Sequence, residues 1–126
     1  MDAGEVLREA ARLGVAVFFL IAAFRNSIHF RERVPAMTNY GTALPVPLVA
    51  TGFAMQWAGG LGLLLGGVAA VWGAVVLIVF LVLATALFHN PLAFPRKERD
   101  LHLYLLLVNS TFVCVLLTIA AEAVSI

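Results

Sequence analysis

The stretch "WAGGLGLLLGGVAAVWG", residues 57–73, contains two adjacent glycines within a long apolar run. Apolar residues continue on both sides of Gly66 and Gly67, and no polar loop separates the two halves. A helix needs about 20 mostly apolar residues to cross the hydrocarbon core of a membrane. The uncharged runs on either side are of that length, which predicts two spans, at about residues 46–66 and 68–89, joined by a tight hairpin.

The composition is typical of a membrane protein. Hydrophobic residues make up 63% of the 126 residues and charged residues 12%, whereas a soluble domain carries about 25% charged residues. The lipid bilayer is therefore the predicted main partner. The net charge of +1 argues against a nucleic-acid partner, which would require a basic face. The single cysteine leaves no pair for dithiol redox chemistry.

Two further spans complete the predicted fold. One, at about residues 101–122, follows another long uncharged run. The other, at about residues 9–30, has a shorter uncharged part, which also suits the core of a signal peptide. Acidic residues ahead of that run favour a spanning helix, with Arg12 snorkelling to the membrane surface. The prediction is one all-α domain over residues 1–126, an integral membrane four-helix bundle with both termini on the same side.

The basic residues predict an orientation. Arg8 and Arg12 lie on the side of the termini, and six basic residues lie on the opposite side, in or next to the two long links at residues 31–45 and 90–100. Since basic loops favour the cytoplasm, the links are predicted to be cytoplasmic and the termini periplasmic. The Gly-x-x-x-Gly pair of Gly62 and Gly66 indicates close helix packing, either within the chain or in a homo-oligomer.

Polar residues within the spans predict a binding site, because such residues are costly in lipid. All four spans carry polar residues near the membrane face that bears the long links, while the half near the hairpin is expected to be almost wholly apolar. We predict that this polar half forms one pocket for a polar headgroup. Its predicted lining residues are Arg25, His29, Gln56, Thr85, His89 and Asn109.

Simpler roles remain open for several of these residues. Arg25 could contact lipid phosphate, and the amides of Gln56 and Asn109 could join helices to one another. The histidine spacing matches no metal-ligand motif, and no carboxylate accompanies the histidines within a span, so no metal site is predicted.

Four segments together resemble the DoxX family of small four-helix bacterial membrane proteins, over about residues 13–121. They are "FFLIAAFRNSIHF" (18–30), "LPVPLVATGFAMQWAGGLGLLLG" (44–66), "LATALFHNPLAF" (83–94) and "LVNSTFVCVLL" (107–117). In this resemblance Arg25 is similar to the basic residue that closes the first span, and Asn109 to a buried asparagine of the last. Gln56 stands where the family often has a glutamate, so a proton-relay role is not expected there.

The resemblance implies a multi-pass protein of the bacterial cytoplasmic (inner) membrane. Some relatives resemble membrane subunits of quinone-reducing systems, so the first hypothesis is the membrane subunit of a quinone-linked oxidoreductase. The chain itself supplies no cofactor; a quinone or a lipid would occupy the pocket, and a separate soluble or membrane subunit would carry the redox group. The alternative is a non-catalytic scaffold or assembly partner of an envelope complex. A solute transporter is less favoured, and whether the chain is an enzyme stays open.

Overall fold

The computed structural model describes residues 1–36, 38–39, 42–88 and 95–124. Five helices and two short strands follow one another there: α1 (Ala3–Ile28), α2 (Phe30–Ala36), β1 (Thr38–Asn39), β2 (Thr42–Ala43), α3 (Val46–Leu65), α4 (Gly67–Phe88) and α5 (Arg96–Val124). The strands pair antiparallel, Thr38 with Ala43 and Asn39 with Thr42. The described part is thus predominantly helical, as the composition predicts.

Three helices are long and apolar enough to cross a membrane, namely α3, α4 as far as Leu87, and α5. The α1 helix is not among them. Its uncharged part, residues 13–24, extends about 18 Å at the helical rise, whereas the hydrocarbon core is about 30 Å thick. The coarse prediction of a helical membrane protein is therefore confirmed, and a fourth span stays a prediction.

The α1 helix begins earlier than residue 9, the predicted start. The Asp2 carboxylate accepts a hydrogen bond from the Glu5 N–H at 2.8 Å, so Asp2 caps the helix and Ala3 is its first residue. At the other end the helix stops at Ile28, and the His29 N–H still donates to the Arg25 carbonyl. The chain then turns directly into α2.

Only Gly66 separates α3 from α4. Gly66 and Gly67 have φ angles of 78° and 59°, a region that glycine adopts without steric cost. Two more glycines let the antiparallel helices approach closely. A Cβ atom on Gly62 would lie 2.6 Å from the Ala69 carbonyl oxygen, and one on Gly73 would lie 2.6 Å from the Gly59 carbonyl oxygen. Gly62 therefore serves packing within the chain.

The α1 helix is joined to the end of α3 by Arg12. Its guanidinium donates to the carbonyl oxygens of Leu63 and Leu64, the latter at 3.1 Å, and pairs with Glu9. Carbonyls in the last turn of a helix lack partners within the helix, and a cation is favourable at that end. These carbonyls offer Arg12 a partner within the protein, and its side chain is only 16% exposed. That Arg12 reaches the membrane surface stays a prediction.

All four long helices contribute to one core. Its buried residues are Ala16, Phe19, Leu63, Ala70, Ala74, Leu77, Leu81, Leu116 and Ile119. Along the chain α1 packs on α3, α3 on α4, and α4 on α5. The Phe18 ring stacks on the Phe112 ring with 4.8 Å between centroids, which brings α5 back against α1. The four helices therefore enclose a shared apolar interior.

The two long links differ from their prediction as loops. In the first, residues 30–36 form α2, which packs through Phe30 and Val34 onto Val49 and Phe53 of α3. In the second, residues 96–100 belong to α5, because the Pro95 carbonyl accepts from the Glu98 and Arg99 N–H groups at 2.9 and 3.1 Å and so starts the helix. The α5 helix therefore begins five residues before the predicted residue 101.

Candidate functional site

The helix α3 contains a buried amide about midway along its length. Gln56 of α3 is 7% exposed and is the buried polar residue among those the structure describes. Its Oε1 accepts a hydrogen bond from Asn26 Nδ2 of α1 at 2.8 Å. The Oδ1 of Asn26 accepts in turn from the Arg33 guanidinium of α2. We call this series of Arg33, Asn26 and Gln56 the amide relay.

The relay ends at a cavity of about 280 Å³, here named the α3/α4 groove. The residues lining it come from residues 44–56 and 80–87, together with Asn26. Three lining side chains are polar, namely Asn26, Thr51 and Gln56. The Thr51 hydroxyl already donates to the Pro47 carbonyl at 2.7 Å. The groove is thus an apolar space with the two amides of the relay as its main polar groups.

Arg25 and His29 lie away from this groove. Arg25 is exposed and, with Asn26 and Arg33, lines a second cavity of about 240 Å³ against the apolar side chains of Phe18 and Ile21. His29 Nδ1 lies 3.5 Å from Glu32 Oε2, one turn further along the chain, and both side chains are exposed. The second cavity combines two arginines with apolar lining, a composition that suits an anionic lipid headgroup.

Thr85 and Asn109 form a separate pair. Asn109 Nδ2 of α5 donates to Thr85 Oγ1 of α4 at 3.1 Å, and neither residue lines the α3/α4 groove. On the other side of α3, Trp57 Nε1 donates to Ser27 Oγ of α1 at 2.9 Å. Hydrogen bonds of this kind join helices inside a bilayer. Asn109 therefore takes the helix-joining role that the sequence left open.

The structure does not bring the predicted pocket residues together. Gln56 lies in the groove, Arg25 in the second cavity, His29 at the surface, and Thr85 with Asn109 between α4 and α5. His89 lies outside the described residues. The expected common depth near the links is not met either, since Gln56 lies about midway along α3 and Asn109 about midway along α5, whereas His29 follows the end of α1. The separation arises because they occupy different faces of their helices.

Sequence reasoning missed Asn26 and Arg33 as site residues. A signal for Asn26 was present, because Ala16, Phe19 and Ala23 are the buried residues of α1 and Asn26 continues their spacing of three and four. That spacing marks one face of a helix. Arg25, one residue earlier, is turned about 100° away from that face. For Arg33 no signal existed, since its position depends on α2, which was predicted as loop.

The hairpin end also carries polar contacts. Besides Arg12, Arg8 of α1 forms an ion pair with Glu122 of α5 at 3.5 Å, with about half of each side chain exposed. These residues and Thr118 surround a cavity of about 230 Å³. The expectation of an almost wholly apolar hairpin half was therefore wrong at its outer end, because the first turns of α1 extend the bundle and meet α5 there.

The donors at these sites are amide, indole and guanidinium groups. Within residues 1–36, 38–39, 42–88 and 95–124, no group of three or more His, Cys, Asp or Glu side chains comes together. The chain matches no protein-family model, no curated protein and no solved structure. The resemblance to the DoxX family therefore stays a prediction.

Proposed function

We propose that this chain is a four-pass protein of the bacterial cytoplasmic membrane that holds a quinone in the α3/α4 groove. The observation that carries this proposal is an apolar cavity that ends at a buried amide, Gln56. A quinone presents carbonyl oxygens on an apolar ring and tail, so it needs an oily space with few, well-placed N–H donors. Gln56 and Asn26 supply such groups.

The size of the groove fits a headgroup with its tail outside. Small-molecule sites range over about 300–1,000 Å³, and the groove, at about 280 Å³, lies just below that range. It therefore has room for a quinone ring but not for the ring together with a long tail. The tail would continue between α3 and α4 into the lipid, past the apolar side chains of Leu48 and Leu83 that line the groove.

The proposed four-pass topology treats α1 as the fourth span. The helix has 26 residues, which gives about 39 Å at 1.5 Å per residue, and it packs along α3. Arg12 donates to carbonyls in the last turn of α3. The exposed side chains of Val17, Ile21 and Phe24 form an apolar surface that suits acyl chains. Both termini then lie on one side of the membrane. Because the basic links favour the cytoplasm, the termini lie on the periplasmic side.

In this proposal the chain is the membrane subunit of a quinone-linked oxidoreductase. The groove would position the quinone, and a separate soluble or membrane subunit would supply the electrons. The described residues contribute binding and orientation at the quinone carbonyl. The resemblance to the DoxX family supports this assignment, and a homo-oligomer is compatible with it.

Quinone content tests the proposal. The protein is purified in mild detergent, and the lipids extracted with it are quantified by mass spectrometry. Gln56→Met keeps the side-chain length but removes the amide, so we expect it to lower bound quinone several-fold. Thr51→Val is the matched control, because Thr51 lines the same groove while its hydroxyl is satisfied by the backbone. Quinone no more abundant than with an unrelated multi-pass protein from the same membranes would reject the proposal.

The second candidate is a non-catalytic scaffold of an envelope complex. The observation in its favour is that several polar side chains join helices to one another, as Asn109 does with Thr85 and Trp57 with Ser27. A groove-filling change, Ala84→Phe, separates the two candidates. A quinone subunit would lose the activity of its complex while the complex still assembles. A scaffold would keep both assembly and activity.

A further inference from the structure

The direction of the amide relay is fixed by Arg33. A guanidinium group has only N–H donors, so the Asn26 atom that it contacts has to be the carbonyl oxygen, Oδ1. Asn26 Nδ2 then faces α3, and the Gln56 atom that receives its hydrogen bond has to be Oε1. The oxygen and nitrogen of an amide are otherwise easily exchanged. Here the chemistry of Arg33 removes that freedom.

The free end of the relay is consequently a donor. Among the described residues Gln56 hydrogen-bonds through its side chain to Asn26, and no side-chain nitrogen or oxygen sealed from solvent lacks a partner there. The Gln56 NH₂ group therefore remains accessible, and Gln56 lines the α3/α4 groove while being 7% exposed. A nearly buried pair of N–H donors without a protein partner in the described part of the chain indicates a ligand acceptor.

We propose that the α3/α4 groove selects amphiphiles by a carbonyl oxygen that accepts from Gln56 Nε2, and that Arg33 sets this selectivity as a positioning residue. The inference rests on the proposed function and specifies the oxidation state of the ligand. The oxidised quinone offers an acceptor at each carbonyl. A quinol hydroxyl needs an acceptor for its proton, and one of the two lone pairs on each amide oxygen of the relay is already occupied. The groove therefore offers free donors to a quinone carbonyl and a more restricted set of acceptors to a quinol, so we expect it to bind quinone more tightly than quinol.

The preference for quinone is measured at the side-chain amide of Gln56. Gln56 is the only glutamine in the chain, so glutamine labelled with ¹⁵N at its side-chain amide gives a single NH₂ signal pair in the NMR spectrum. Decyl-benzoquinone, its quinol and decylbenzene are titrated into the full-length protein in lipid nanodiscs. We expect the quinone to shift one Gln56 NH₂ proton downfield in a saturable way. One net hydrogen bond corresponds to about fivefold tighter binding of the quinone than of the other two probes.

Two variants outside the groove test the role of Arg33. Arg33→Lys keeps a donor-only group, and we expect the quinone preference to survive. Arg33→Met allows both amides to turn, so the preference should disappear while the affinity for decylbenzene stays unchanged, which also shows that the groove is intact. If Arg33→Met does not fold, Arg33→Gln is used in its place. The side-chain amide of the new glutamine can either donate to Asn26 or accept from it, so it no longer fixes the orientation of the Asn26 amide.

The outcomes distinguish this inference from the proposed function. Equal binding of quinone and decylbenzene to the wild type would overturn the selectivity while leaving a groove for amphiphiles. A full quinone preference in the folded Arg33→Met or Arg33→Gln variant would overturn the role of the relay. No saturable binding of any probe would overturn both the inference and the quinone-binding function.

Discussion

At the scale of single residues, the polar side chains inside this helical chain are explained by their partners. Gln56 accepts from Asn26, Asn109 donates to Thr85, and Arg12 donates to the last carbonyls of α3. A buried polar group without a partner is destabilising. Each of these contacts joins two helices and is therefore expected to contribute measurably to the free energy of unfolding.

Arg12 gives the first prediction. Arg12→Met removes hydrogen bonds from a charged donor to the α3 carbonyls, and a hydrogen bond of that kind contributes about 1.5–3 kcal/mol. We expect the free energy of unfolding in mixed detergent micelles to fall by about that amount. Arg8→Met is the control, since its ion pair with Glu122 is half exposed and is expected to contribute less than about 1 kcal/mol. Equal effects of both changes would contradict the assigned role of Arg12.

The second prediction concerns the contact between α4 and α5. A double-mutant cycle with Thr85→Val and Asn109→Leu isolates the 3.1 Å hydrogen bond between them. Such bonds inside a bilayer average about 0.6 kcal/mol, so we expect a coupling energy of that size in unfolding measurements. Quinone content should stay at the wild-type level in the folded single variants, because neither residue lines the α3/α4 groove. A large loss of quinone would mean that the pair belongs to the site.

The sequence predicted which helices carry these residues but not the helix face on which each one lies. Gln56 and Asn109 lie about midway along α3 and α5, and only Thr85 lies close to the end of its helix that leads into a link. Which of these residues share a cavity depends on how each helix is rotated about its own axis. Arg25 and His29 are four residues apart and so lie on one face of α1, but this spacing does not show which face of α1 packs on α3. The buried face of α1 instead leads to Asn26.

At the scale of helices, the contact between α3 and α4 is a backbone contact. Gly62 and Gly73 allow it, because a side chain at either position would meet main-chain atoms. The helix ends were predicted well where the pattern was apolar, since α3 begins at Val46 as expected. The prediction failed where helices are charged, at α2 and the start of α5, because charge alone does not separate an exposed helical turn from a loop.

Gly62→Ala gives the third prediction. The added Cβ would lie 2.6 Å from the Ala69 carbonyl oxygen and 3.0 Å from the Gly73 Cα, so the two backbones have to separate. Overpacking of this kind costs about 1–3 kcal/mol, and we expect a loss of that size in the free energy of unfolding. Gly14→Ala in α1 is the matched control, because its Cβ meets nothing within 4 Å. Gly14→Ala should leave stability unchanged or raise it by up to about 1 kcal/mol. Equal stability of the two variants would contradict the close approach of α3 and α4.

At the scale of the whole molecule, the fourth span is the main structural proposal. Three helices have the length and apolar composition to cross a membrane, and α1 packs along α3 within the same core. The fourth prediction is that the N- and C-termini lie on the same side of the membrane. Periplasm-specific and cytoplasm-specific reporter fusions at each terminus measure this, with a fusion after residue 97 as the opposite-side control. Termini on opposite sides would show that α1 does not span.

Photolabelling with an azido-quinone in native membranes, followed by mass-spectrometric mapping of the labelled residues, locates the quinone. We predict label within residues 44–56 and 80–87, where α3 and α4 line the groove, and loss of that label when unlabelled quinone competes. Competable label on α5 alone, or no competable label on the chain, would contradict the claim that this groove holds a quinone.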